Sequence, residues 1–337
     1  MSRVRVDPYI LLLLVTVGIA SLMPARGIVA VDLTHATTIA IAVLFFLYGA
    51  RLSTRDALAG LRHWRLHGVI LAFTFLVFPL LGLLSRALVP DVLTPDLWAG
   101  VMFLCCLPST VQSSIAFTSI AKGNVAAAMC SASFSNLIGI VLTPALVTVF
   151  LVTQTGGGVS LVAVRDIVLQ LLVPFVAGQL LRKWIGGFIA RHKQVLGYVD
   201  RGSILLVVYA AFSEGVVAGI WGRLTIPSLL LLFLTNAAIL GTVIGSTMWT
   251  ARRLGFSTED QIAIVFCGSK KSLASGLPLA SVLLPAAAVG LMVVPLMLFH
   301  QMQLMVCAWL ARRYADRSNV AVAPLVSSMS CDAGAEL

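Results

Sequence analysis

The sequence predicts an all-α polytopic membrane protein, and three observations predict it. Hydrophobic residues make up 59% of the 337 and charged residues only 11%, with a mean hydropathy of +1.02. A soluble domain carries about 25% charged and about 45–50% apolar residues, so this chain cannot cover its apolar surface with a water-facing shell. Apolar runs of roughly 20 residues, the length that crosses a bilayer, recur from end to end with short links between them. The net charge of +10 is unevenly spread, gathering in alternate links. That is the pattern of membrane topology and not of a nucleic-acid partner.

Ten spans fit these runs. The first, 9–23, follows Arg3 and Arg5 and resembles a signal peptide in outline. No small-x-small cleavage site follows it cleanly, so it reads as the first transmembrane helix. Spans 33–50 and 66–88 flank a basic link, Arg51–Arg65. Spans 97–120 and 124–152 contain Pro108 and Pro144. Spans 163–182 and 199–220 flank a second basic link, Arg182–Arg201. Spans 227–250, 258–281 and 284–310 complete the set, and the residues from 319 to 337 read as a flexible cytoplasmic tail.

With the N-terminus in the cytoplasm, Arg26, Arg86, Arg165 and Arg223 are the basic residues on the far side, while Lys270 and Lys271 fall inside a span. All the other lysines and arginines of the 23 lie on the cytoplasmic side, which places both termini there. Five spans per half is an odd number, so if the halves are repeats, 1–155 and 156–318, the second is inverted relative to the first. Spans four and nine support this, because each is interrupted at the same place in its half. The first interruption is Cys105-Cys-Leu-Pro-Ser-Thr-Val-Gln-Ser-Ser114 and the second is Cys267-Gly-Ser-Lys-Lys-Ser272.

Non-helical backbone survives in hydrocarbon only where protein or a water-lined cavity satisfies it. Pro108 and Gly268 are the helix breaks, and two helices broken near mid-membrane can cross and present their half-helix ends to an ion or an anion. Ser109, Thr110, Gln112, Ser113 and Ser114 lie at one break, and Ser269, Lys270, Lys271 and Ser272 at the other; span five adds Ser133 and Asn136 ahead of Thr143-Pro144. These are the candidate substrate- or ion-binding residues. A lone Ser or Thr in a membrane helix more often bonds its own backbone, so it is the clustering that carries the reading. A lysine at that depth costs about 2.5–3.5 kcal/mol on insertion scales unless water or a partner receives it. Adjacent helical residues point about 100° apart, so one lysine is expected to face the crossing and the other to bond carbonyls or reach an aqueous cavity. Thr74, Glu214, His35 and His300 are secondary candidates, Glu214 as the acidic residue lying furthest from the ends of its span.

No cofactor is implied, and there is no phosphate-binding Gly-x-x-x-x-Gly-Lys loop. The six cysteines lack metal-ligand spacing and read as small buried hydrophobes, so no metal is assigned. No nucleophile–base–orienter set suggests an enzyme.

The stretches Leu107-Pro-Ser-Thr-Val-Gln-Ser-Ser-Ile115, Ile120-Ala-Lys-Gly-Asn-Val-Ala126 and Leu142-Thr-Pro144 resemble spans four and five of the bile acid:sodium symporter superfamily. Phe266-Cys-Gly-Ser-Lys-Lys-Ser-Leu273 is similar to its YfeH-like branch, which includes the seventh vertebrate member of solute carrier family ten. The resemblance implies a panel domain of helices 1, 2, 6 and 7. It also implies a core domain of helices 3–5 and 8–10, with discontinuous helices 4 and 9 crossed inside it. Alternating-access transport of an organic anion would follow.

The resemblance also exposes departures. Where sodium-coupled relatives use a Ser-Asn pair this chain has Ser113-Ser114, and the span-five hydroxyl positions read Ala128 and Ala132. The ligand glutamate reads Phe266, the later glutamine reads Lys270, and the span-three glutamine falls near Thr74. An ammonium in place of an alkali ion suggests transport that is sodium-independent or coupled to H⁺ through Lys270 or Lys271, with Na⁺ as the family's usual coupling ion. The expected setting is a bacterial inner membrane, with a small organic anion as substrate and the oligomeric state open, a monomer included. The alternative is a regulatory or sensory membrane protein that keeps the fold without transporting. A solvent path to Lys270 would favour transport, and a sealed core the alternative.

Overall fold

The computed structural model describes residues 8–51, 63–89, 93–152, 165, 168–219, 222, 224–284 and 286–332. Most of the basic link 52–62, the approach to span six at 153–164 and residues 333–337 of the tail lie outside the described residues.

Most of the described residues are helical, joined by short turns and extended breaks. The helices are α1 (Pro8–Leu22), α2 (Ile28–Arg51), α3 (Trp64–Leu88), α4 (Pro95–Cys106), α5 (Gln112–Ile120) and α6 (Val125–Val147). They continue as α7 (Val173–Arg191), α8 (Lys193–Val217), α9 (Ile226–Arg253), α10 (Thr258–Gly268), α11 (Leu273–Leu283), α12 (Ala286–Met292) and α13 (Val294–Asp332). Among the described residues, six helices are long and apolar enough to cross a membrane, and the predicted spans four and nine are each divided into two shorter helices. Large hydrophobic side chains such as Leu14, Ile39, Leu76, Leu180 and Phe233 are exposed, as a lipid-facing exterior requires.

Helix starts follow local chemistry. Thr94 caps α4 through a bond from the Leu97 amide, with Pro95 and Asp96 in the first turn, and Ser257 caps α10 ahead of Glu259 and Asp260. Asn124 caps α6, and its amide nitrogen donates to Asp260 at 2.8 Å, tying the α5–α6 turn to the start of α10.

One expectation is corrected. The basic stretch Arg182–Arg201 is not a link: α7 runs on to Arg191, His192 alone leaves helical geometry, and α8 begins at Lys193. Ile189 is buried and Ile185 half-buried on this stretch, so a helix here keeps one apolar side in contact while Lys183 and Arg191 extend toward water. The backbone of the tail likewise continues α13 as helix to Asp332.

α2 lies along α7, and α8 packs against α1 and α2. The approach of α2 to α7 is close enough that a Cβ on Gly49 would sit 2.0 Å from the Phe175 carbonyl oxygen, and one on Gly178 would sit 2.0 Å from that of Phe46. α3 to α6 pack with α9, α10 and α13 in a second group of contacts.

Candidate functional site

The backbone near the two breaks determines what the site can hold. α4 stops at Cys106 because Pro108 brings no N–H, and the chain is extended at Leu107 (φ −75°, ψ 156°) before α5 begins at Gln112. α10 stops at Gly268, and Ser272 caps α11 through the Ser275 amide at 3.1 Å. The breaks meet directly, with the Ser272 amide donating to the Pro108 carbonyl at 2.9 Å.

A broken helix leaves carbonyls that need donors. Several of those here have one from the protein. The Leu104 carbonyl accepts from the Leu107 amide, and the Cys106 carbonyl from the Thr143 hydroxyl at 2.8 Å. The Ser109 carbonyl accepts from Asn136 Nδ2 at 2.7 Å. On the other strand of the crossing, Ser114 donates to the Phe266 carbonyl at 2.9 Å, Ser109 to that of Cys267 at 2.6 Å, and Ser269 to that of Val265 at 2.6 Å.

Three further carbonyls are served by Lys271. Its Nζ donates to Thr74 O at 2.7 Å, Cys105 O at 2.8 Å and Leu107 O at 2.7 Å, and lies 4.1 Å from the Phe78 ring centroid. The free carbonyl of Thr74 has a local cause. Residues Phe73–Val77 form a π-turn in which the Phe78 amide reaches back to Phe73, and the next residue, Pro79, has no N–H to offer. Thr74 thus enters the site through its backbone, its hydroxyl being bonded to Ile70 O.

Lys270 behaves differently. Its Nζ lies 4.1 Å from the Phe117 centroid and 5.4 Å from that of Phe266, with no hydrogen-bond partner among the described residues. Both lysines are fully buried. It is Lys271, the neighbour of the residue matched to the family's glutamine, whose ammonium sits where carbonyls converge.

Gln303 on α13 holds this arrangement and went unremarked in the sequence. Its Oε1 accepts the Lys271 amide and its Nε2 donates to the Lys271 carbonyl, both at 2.9 Å. Those two bonds fix the orientation of the amide, so Nε2 must also be the donor to His300 Nδ1 at 2.8 Å, which therefore carries no proton. The signal was present: His300 and Gln303 are three apart, on one face of the stretch 294–311 of α13, which is apolar apart from them and Gln301.

In front of the crossing lies a cavity of about 990 Å³. Thr110, Gln112, Ser113, Ser133, Asn136 and Ser272 line it, together with His300, while Phe45, Leu137, Ile140, Phe175 and Ile204 supply apolar walls and Arg51, Asp200 and Arg201 lie at one end. Asn136 also accepts from Ser275 at 3.0 Å, and α5 begins without a side-chain cap. Ser109, Ser114, Ser269, Lys270, Lys271 and Phe266 are buried behind this surface and do not line it. Glu214 is exposed on α8, pairs with neither lysine and is outside the cavity. Gly268 is buried, with Thr247 3.3 Å from where a Cβ would be. Among the described residues no group of His, Cys, Asp and Glu could hold a metal ion.

Residues 7–316 match the model of the SBF-like CPA transporter family. An uncharacterized protein of Pseudomonas aeruginosa is 55% identical over 98% of this chain and its own full length, and YfeH of Escherichia coli is 52% identical over 91% of this chain and 92% of its own. The sodium/bile acid cotransporter 7 of Mus musculus is 30% identical over 90% of this chain and 91% of its own. These relatives and the helical membrane architecture give a transporter in place of an enzyme. The chain belongs to the SBF-like CPA transporter family, within the bile acid:sodium symporter superfamily, close to bacterial YfeH and more distant from the vertebrate cotransporter 7.

Proposed function

We propose that the protein is a secondary transporter that moves an organic anion by alternating access, with Lys271 as a fixed charge in place of a bound sodium ion. The proposed frame is ten spans in two inverted five-helix repeats, with helices 1, 2, 6 and 7 as panel and the rest as core. Both termini would be cytoplasmic in a bacterial inner membrane. The observation that carries the reading is the Lys271 ammonium held by the carbonyls of Thr74, Cys105 and Leu107. Three donated bonds need the charged –NH₃⁺ form. A covalently attached cation there supplies what a recruited ion would supply, and it cannot leave when the protein changes state.

Coupling to protons remains open to Lys270, which could lose one without breaking a hydrogen bond. The cavity between an apolar wall and the uncapped α5 start suits an anion with an apolar body. One observation favours the non-transporting reading: neither lysine is reachable from the cavity. Uptake of a steroid carboxylate such as cholate into proteoliposomes separates the readings. The expected result is uptake that is unchanged by an imposed Na⁺ gradient. Strict Na⁺ dependence would overturn the fixed-charge reading, and binding of cholate without any uptake would support the regulatory one.

A further inference from the structure

We infer that Arg51 is the residue that recognises the anionic group of the cargo, and that Asp200 is a built-in stand-in for that group, displaced when cargo binds. The inference rests on the organic-anion reading above and names the residue that would perform it. With Lys270 and Lys271 sealed, the arginines among the described residues that line the cavity are Arg51 and Arg201, and among those lining residues Asp200 is the one carboxylate. Arg51, at the end of α2, pairs with Asp200 on α8 through one nitrogen and one oxygen. The second oxygen, Asp200 Oδ1, is buried with no hydrogen-bond partner among the described residues.

The pair is therefore single-pronged, although a guanidinium can offer a carboxylate or sulfonate two parallel N–H donors. An incoming anion that takes both prongs improves on Asp200, and the exchange never leaves the arginine without a counter-charge, which is the costly state for a partly buried cation. The side chains of Arg51 and Asp200 are 32% and 18% exposed, so the pair is open to exchange in a way the two lysines are not. The apolar walls, Phe45, Phe175 and Ile204 among them, take the body of the same molecule. The recognised chemistry is a carboxylate or sulfonate head on an apolar body, whether a free amphiphile or an anionic lipid.

Binding of 1-naphthalenesulfonate and of its neutral sulfonamide, measured by calorimetry on the protein in phosphatidylcholine nanodiscs, tests this. The expected result is preference for the sulfonate in the wild type and affinity raised about tenfold in Asp200→Asn. Arg51→Gln should lose at least tenfold, with Arg51→Lys between, and sulfonamide binding should not change. Competition when phosphatidylglycerol is added to the disc would mark a lipid as the source of the anion, and no competition a free solute; either fits an anion site at Arg51. Equal sulfonate binding by wild type and Arg51→Gln, or weaker binding by Asp200→Asn, overturns the inference while leaving the organic-anion reading in place. No preference for the sulfonate in any variant would overturn both.

Discussion

Lys270 and Lys271 are adjacent and equally buried, yet substitution should separate them. Lys271→Met would strand three carbonyls, two of them at the end of α4, and buried polar groups that lose their partner cost about 1–3 kcal/mol each. We expect a loss on the order of 3 kcal/mol or more in unfolding of the purified protein. Lys270→Met removes a cation whose favourable contacts are two aromatic rings, worth about 2 kcal/mol when desolvated, and relieves its burial without a hydrogen bond. That variant should fall within about 1 kcal/mol of wild type or above it. Equal losses would show that the carbonyl set is not what distinguishes the pair. The presence of a charge at this depth was legible in the sequence, because long apolar runs on both sides hold the two lysines away from either membrane surface. Which lysine meets the carbonyls was not, since the backbone there leaves the helix and the 100° rule no longer applies. Gln303 escaped notice for a related reason: its partners are main-chain atoms of a segment far away in sequence.

At the scale of elements, the breaks were readable and their partners were not. Pro108 and Gly268 marked the interruptions, which fall at 107–111 and 269–272. The π-turn in α3 left only a faint mark, Pro79, whose missing N–H matters because a lysine nearly two hundred residues later uses the carbonyl it frees. Basic residues around the α7–α8 junction resemble a link, but Lys183 and Arg191 carry their charge outward from a helix whose Ile189 stays buried. The α2–α7 contact gives a test at this scale. Ala at Gly178 places a methyl against the Phe46 carbonyl, a backbone atom that cannot swing aside, so the helices must separate at a cost of about 1–3 kcal/mol. Gly245→Ala on α9 meets nothing within 4 Å and should be neutral or stabilising by up to about 1 kcal/mol. Thermal unfolding of the two variants beside wild type reads the difference. A harmless Gly178→Ala would mean the two backbones are not in contact.

For the whole molecule, charge distribution and cavity position make one joint prediction. Arg51, Asp200 and Arg201 stand at one end of the cavity, and Arg182 and Lys183 line an adjoining space of about 1260 Å³ that shares Arg51, Gln112 and Asp200 with it. In the orientation proposed above from the positive-inside rule, that side would face the cytoplasm. A cysteine at Gln112, exposed at the start of α5, should react with a membrane-impermeant maleimide faster from the cytoplasmic face than from the opposite one. Leu22→Cys, at the exposed far end of α1, should show the reverse. Cys105, Cys106, Cys267 and Cys307 are buried and should contribute little background. The slow reaction is the informative one. A transporter that alternates must at times open Gln112→Cys to the outer face, so labelling from that side should be measurable and should change in rate when cholate is present. A protein that keeps the fold without transporting has no such state, and outer-face labelling at background level, with or without cholate, would count against transport whatever the cavity binds.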